Sequence, residues 1–158
     1  MDEKYQQNKD IIKIYVDASN DSWNKSNYSG IGVVVTAGRR AHKKIIYKRS
    51  YKIFHNDITY SELLAIRYGI EWAIDNDTNA IVLSDSKRSI GMIYALLEFL
   101  DGNRSDLPSV DNELGAIAFD IAMKLRKSEL SIRIQKIKAH SGVLWHDVSD
   151  QIAKEARR

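Results

Sequence analysis

The order of its apolar segments constrains this chain more than any other feature. Three strand-patterned stretches come first, at 11–18, 31–36 and 44–53, joined by turn-rich links, and a helix-patterned stretch then leads to the run AIVLS at 80–84. Consecutive strands joined by short links pair antiparallel, as a meander. AIVLS shows no polar alternation, so both of its faces must be covered, and a strand reached through a helix joins the sheet in parallel by a right-handed crossover. Two more helical patterns follow, one at 87–100 and one capped at Asp111 or Asn112 and running to Lys127; a fifth strand at 130–138 and a last helix from Trp145 complete the chain. This order predicts an α/β fold, more strictly α+β. It is a five-stranded mixed sheet of three antiparallel and two parallel strands, flanked by helices.

Residues 1–10, MDEKYQQNKD, read as a flexible N-terminal segment, and 11–158 as a single domain. With 158 residues, 44% hydrophobic and 28% charged, the chain has the length and composition of a globular protein with a substantial core. No apolar run approaches a membrane span and the start is polar and acidic, which sets the expectation of a cytoplasmic protein without membrane contact. Zero cysteines exclude a disulfide framework and any thiolate ligand or nucleophile.

Four acids stand at the ends of these elements. Asp17 closes the first strand (IIKIYVDAS), Glu62 opens the first helix (YSELLAIRYGIEWA), Asp85 ends the fourth strand (AIVLSDS), and Asp150 lies in the last helix, ten residues after His140. Thr59 is the expected N-cap of the first helix, with Glu62 as its capping-box partner three residues on. Leu63, Ile66, Ile70 and Ala73 form the apolar stripe of that helix, and Glu62 sits at its edge, able to face the sheet. Two carboxylates brought to about 4 Å repel by roughly 4 kcal/mol at an effective dielectric near 20. Hard divalent cations, which take oxygen ligands, would turn that repulsion into a binding site.

The arrangement resembles ribonuclease H of type 1. The resemblance runs from Ile11 to Ala156 and rests on Asp-Ala-Ser at 17–19, Ser-Glu-Leu at 61–63, Ser-Asp-Ser at 84–86, and His140 followed ten residues later by Asp150. It implies the same five-stranded fold, with Asp17 and Asp85 on adjacent strand ends. It also implies an endonuclease that hydrolyses the RNA strand of RNA–DNA hybrids with two Mg²⁺ ions, for which Mn²⁺ can substitute, leaving 5′-phosphate and 3′-hydroxyl ends. Under it Asp17 bridges both ions, Glu62 and Asp85 complete one metal site and Asp150 the other. His140, in the loop Ala-His-Ser-Gly, carries a proton or aids product release. Asp147 competes with Asp150 for that role, but its position suits capping and the spacing from His140 favours Asp150. His146 stands where the family often has asparagine and is expected to touch the site without being a catalyst.

Several departures from the family pattern concern the substrate. Ile58, Thr59 and Tyr60 occupy the stretch where an asparagine often precedes the helix glutamate, Lys87 replaces a common glutamine, and NDSWNKSNYSG replaces a glycine-rich turn. Ser19, Asn20, Thr59, Ser86 and Lys87 are the candidate substrate contacts. The segment YALLEFLDGNRSDLPSVDNELG lacks the basic, tryptophan-bearing handle of many bacterial members, so the cations Arg39, Arg40, Lys43, Lys44, Lys48, Arg49 and Lys52 become the candidate phosphate track. As an ordinary edge strand, the same lysines would simply discourage pairing between molecules. The chain is read as a monomer with no identifiable protein partner. Three alternatives stay open: a nuclease of the same superfamily acting on double-stranded RNA or DNA, a catalytically weak nucleic-acid-binding module, and an interaction domain using Leu96, Leu97, Phe99 and Leu100.

Overall fold

The computed structural model describes residues 12–20, 27–38, 43–106, 112–138 and 144–158. The N-terminal segment 1–10, Arg39, Arg40, Asp111 and the His140 loop lie outside the described residues. The strands are β1 Lys13–Asn20, β2 Ser29–Ala37, β3 Lys44–Ile53, β4 Ala80–Ser84 and β5 Ile132–Lys136, and the helices are α1 Ile58–Asp75, α2 Lys87–Leu100, α3 Asn112–Lys127 and α4 Leu144–Ala156. The five strands form one sheet in the order β3-β2-β1-β4-β5. β1, β2 and β3 pair antiparallel, while β4 joins β1 and β5 joins β4 in parallel. The mixed sheet expected from segment order is therefore the observed one.

Helices cover both faces, unequally. Ile14, Val16, Val33, Val35 and Val82 point to the face where α1, α2 and α3 contribute Leu63, Ile66, Ile70, Ile93, Ile117 and Ile121 to the main core. Period-2 alternation sends Tyr15, Val34 and Leu83 to the opposite face, where Trp145, Val148 and Ile152 of α4 pack on them. Of the Leu96, Leu97, Phe99 and Leu100 cluster, Leu96 is buried in the main core, Leu97 and Leu100 pack against it, and Phe99 is half-buried.

α4 lies unusually close to the sheet because β2 carries glycine beneath it. A Cβ on Gly32 would stand 2.1 Å from the Ser149 carbonyl oxygen, and one on Gly30 would stand 1.8 Å from that of Ala153. Any side chain at either position would push the helix outward.

Local details differ from the sequence reading. α1 is capped by Asp57, not Thr59: the Asp57 carboxylate accepts the backbone N–H groups of Thr59 and Tyr60 at 2.8 and 3.1 Å. Glu62 consequently belongs to no capping box; the cap is complete without it. β1 and β2 run further than their apolar cores suggest, because pairing continues to Asn20↔Ser29. β5 is shorter than 130–138, and of its five residues only Ile134 is buried.

Candidate metal centre

Asp17 shares the α4-facing side of β1 with Tyr15 and Ser19. The parallel register Ile14↔Val82 and Tyr15↔Leu83 carries Asp17 level with Asp85, one residue beyond the end of β4. Asp17 is 4% exposed, and its Oδ1 accepts the Ala18 N–H at 2.9 Å. Glu62, 7% exposed, reaches the same point from the second turn of α1, and its Oε2 has no hydrogen-bond partner.

α4 supplies two more groups, four residues apart and hence on one helical face. His146 Nε2 lies 3.3 Å from Asp85 Oδ2 and 3.9 Å from Asp17 Oδ2. Asp150 interacts with the Asp17 carboxyl and pairs with Lys154 at 2.9 Å. Asp147 is exposed in the first turn of the helix. The four acids of the sequence reading thus meet around Asp17, whereas His140 lies outside the described residues. His146 is the member whose contact with two carboxylates required the structure, although its spacing of four from Asp150 already put both on one face.

The electrostatics are those of a site with too much negative charge for its burial. Asp17 is pushed from its ordinary 3.8 up to about 8, first by burial and then by the Asp85 charge, with His146 opposing the shift. Glu62 is raised well above the usual carboxylate range, again by burial first and then by Asp17 and Asp85. His146 is raised chiefly by its hydrogen bond to Asp85. Without another cation, protons and one imidazole must hold these carboxylates together. Ligand atoms of Asp17, Asp85 and His146 all lie within 4.8 Å of one another, and the partnerless Glu62 oxygen beside them is a further free donor. Oxygen-rich and short of positive charge, this donor set fits divalent metal.

Most of the candidate substrate contacts are engaged inside the protein. Arg157 Nη1 donates to Ser19 Oγ at 2.5 Å and to the Asn20 carbonyl at 2.6 Å, and Asn20 Nδ2 donates to the Asn56 carbonyl. Thr59 is buried, with Arg88 Nη1 at 3.4 Å from its hydroxyl, and Ser86 is the N-cap of α2. Lys87 is exposed at the start of α2. Arg157, absent from the sequence reading, had no signal there beyond being a terminal cation.

On β3, Tyr47 packs on Trp72 and Tyr51 stacks on Tyr68 of α1, so Arg49 between them points to the α1 side while Lys48 and Lys52 point to the other. Lys52 sits over the Tyr28 ring and donates to the Arg158 carbonyl; Lys43 donates to the Tyr15 hydroxyl. The described cations of the basic segment are therefore split between two faces.

A mixed sheet in this strand order, with carboxylates gathered at the ends of β1 and β4, defines the ribonuclease H-like class of hydrolases. The chain belongs to the RNase H family: the family's model matches residues 8–158. It is a hydrolase of that family, whose members are metal-dependent, and its Asp17, Asp85 and His146 form a group that could hold a metal ion. The RNase H domain of prototype foamy virus is similar at a TM-score of 0.76 and 18% identity, over 94% of this chain and 95% of that one. RNase H1 from the halophilic archaeon Halobacterium salinarum NRC-1 is similar at 0.65 and 16%, over 92% and 96%. The foamy viral protease-reverse transcriptase in complex with RNA/DNA hybrid matches at 0.75 and 17%, over 96% of this chain but 20% of that protein, so the chain spans about a fifth of its length. No curated protein sequence matches the chain. Among the described residues no helix is long and apolar enough to cross a membrane.

Proposed function

We propose that this protein is an endonuclease that hydrolyses the RNA strand of RNA–DNA hybrids with two Mg²⁺ ions, leaving 5′-phosphate and 3′-hydroxyl ends. The observation that carries this reading is the convergence of Asp17, Glu62, Asp85 and Asp150 at one end of the sheet, with Asp17 and Glu62 buried beyond what carboxylates tolerate alone. When bound, the ions supply an activated water and stabilise the leaving oxygen, the chemistry by which paired metals cut phosphodiesters.

The chain's own residues do the rest. Asp17, central to the cluster, would hold the ions together with Glu62, Asp85 and Asp150. Lys154 pairs with Asp150 at 2.9 Å and orients its carboxylate. His140 carries a proton to or from the reacting groups. Lys87, exposed beside Asp85, offers its ammonium to a phosphate, and Ser19, Asn20, Thr59 and Ser86 border the strand being cut. The foamy viral protease-reverse transcriptase, to which this chain is similar over a fifth of that protein's length, forms a complex with RNA/DNA hybrid. The protein acts as a monomeric cytoplasmic domain spanning 11–158.

A single labelled sequence offered as hybrid, double-stranded RNA, double-stranded DNA and single strands, with Mg²⁺, Mn²⁺ or EDTA, tests the reading. Metal-dependent cutting of the hybrid's RNA strand alone, lost in Asp17→Asn, is the expected result. A second reading, action on another duplex, is favoured by the internal engagement of Ser19, Asn20, Thr59 and Ser86, which leaves few hydroxyl readers free. Cutting of double-stranded RNA or DNA in preference to the hybrid would establish it.

A further inference from the structure

Apart from the four carboxylates, the side chain that enters the metal centre most directly is His146. Its ring is 3% exposed and its Nε2 faces the carboxylates of both Asp85 and Asp17. Its Nδ1 is buried with no hydrogen-bond partner, so no acceptor on the far side of the ring shares in fixing it. α4 fixes it instead. The helix backbone rests on Gly30 and Gly32, and the Ser149 hydroxyl donates to the His146 carbonyl at 2.7 Å. These contacts hold the backbone that carries His146 against the sheet, so its ring enters the centre from a fixed point.

Donor chemistry gives that placement a consequence. An all-oxygen set suits Mg²⁺, which binds nitrogen weakly; Mn²⁺, though itself an oxygen-preferring cation, accepts an imidazole more readily than Mg²⁺ does, and Fe²⁺, Co²⁺, Ni²⁺ and Zn²⁺ accept it more readily still. An asparagine in place of His146 would present an amide oxygen and preserve the Mg²⁺ preference. We propose that His146 is a nitrogen ligand of the metal centre and shifts the metal preference of this chain from Mg²⁺ toward Mn²⁺ and similar cations. The inference rests on the reading of the acidic cluster as a metal centre. Its competitor is a positioning role, in which His146 only donates a hydrogen bond to Asp85 and touches no ion.

Two measurements on metal-free protein separate these roles without recourse to activity. Pulsed electron paramagnetic resonance of bound Mn²⁺ is expected to show the coupling of a directly bound imidazole nitrogen in the wild type and to lose it in His146→Asn. Calorimetric titration is expected to show tighter binding of Mn²⁺ than of Mg²⁺ by the wild type, with that ratio falling about tenfold or more in the variant. Mn²⁺ bound with no direct nitrogen coupling, or a ratio unchanged in the variant, overturns the inference and leaves the metal centre intact. A wild type that binds neither cation overturns both. If His146→Asn fails to fold, the wild-type spectrum decides by itself.

Discussion

At the ends of β1 and β4 negative charge is buried and crowded, while along β3 positive charge is spread over an exposed edge. The acidic groups cannot relax: Asp17 and Glu62 sit among fixed backbone and each other, and both are driven toward the protonated form. The cations of β3 lie on flexible stems in water, where they cost little and fix little. Arg49 rests over Tyr51 and Lys52 over Tyr28, on opposite faces of the strand. Charge that strains the fold marks where a ligand is required; charge that does not strain it supplies at most general attraction to a polyanion.

The largest effect expected from breaking this contrast is at its acidic pole. Asp17→Asn should lower metal-dependent hybrid cleavage by about a thousandfold or more, which corresponds to roughly 4 kcal/mol of lost transition-state stabilisation. The same variant should melt no lower than the wild type in EDTA, because its neutral amide sits in the crowded site without having to take up the proton that Asp17 needs there. Cleavage gels and thermal melts on the two proteins check both halves.

Next in size is the effect of moving α4. Gly32→Ala places a methyl group against the Ser149 carbonyl and should cost about 1–3 kcal/mol of stability by overpacking. Because α4 carries Asp150 and His146, metal affinity should fall with it. Denaturant melts and metal titration measure the two, and a variant as stable as wild type would show that the close approach is not required.

Protonation sharpens the contrast further. The Asp17 carboxyl faces Glu62 from α1, Asp85 from the end of β4, and His146 and Asp150 from α4. Its folded value of about 8 lies above the ordinary 3.8, so the folded state holds a proton that the unfolded chain releases. Stability of the metal-free protein is then greatest near pH 4 and falls as pH rises toward 8. His146, raised through Asp85, acts in the same direction. Bound metal replaces the protons, so the gap between melting temperatures with Mg²⁺ and with EDTA should widen over that interval. A metal-free melting temperature that climbs from pH 5 to 8 would contradict the crowding argument.

The smallest effects belong to the basic edge. Lys48→Ala should leave stability within about 0.5 kcal/mol. If Lys48 contacts a phosphate, the same change reduces the salt dependence of hybrid binding by about one counterion. Arg49→Ala, on the other face, distinguishes which side of β3 the nucleic acid follows; equal losses at both positions would mean that it wraps the edge.

Much of the fold was legible because its determinants are local and periodic. The AIVLS strand, the 87–100 helix and the Leu63–Ile66–Ile70–Ala73 stripe follow directly from apolar spacing, and each appears where expected. The α1 cap was misassigned because Thr59 and Asp57 are both good caps, and only backbone geometry distinguishes them. The cation segment looked like one patch because sequence proximity does not separate the two faces of a strand. His146 is legible in the sequence as a residue touching the site, but nothing in its sequence neighbours tells that two carboxylates from other elements lie within reach of its ring.

The sequence by itself determined the succession of strands and helices along the chain, the helical stripes and the four acids at element ends, since periodicity and composition act over a few residues. Tertiary structure decided which of those acids are buried, how far their protonation is displaced, and that an imidazole stands among them. Those properties arise from desolvation and Coulomb interaction between groups such as Asp17 and Glu62 or His146, far apart in the chain and within reach only once the sheet and α4 have closed around them.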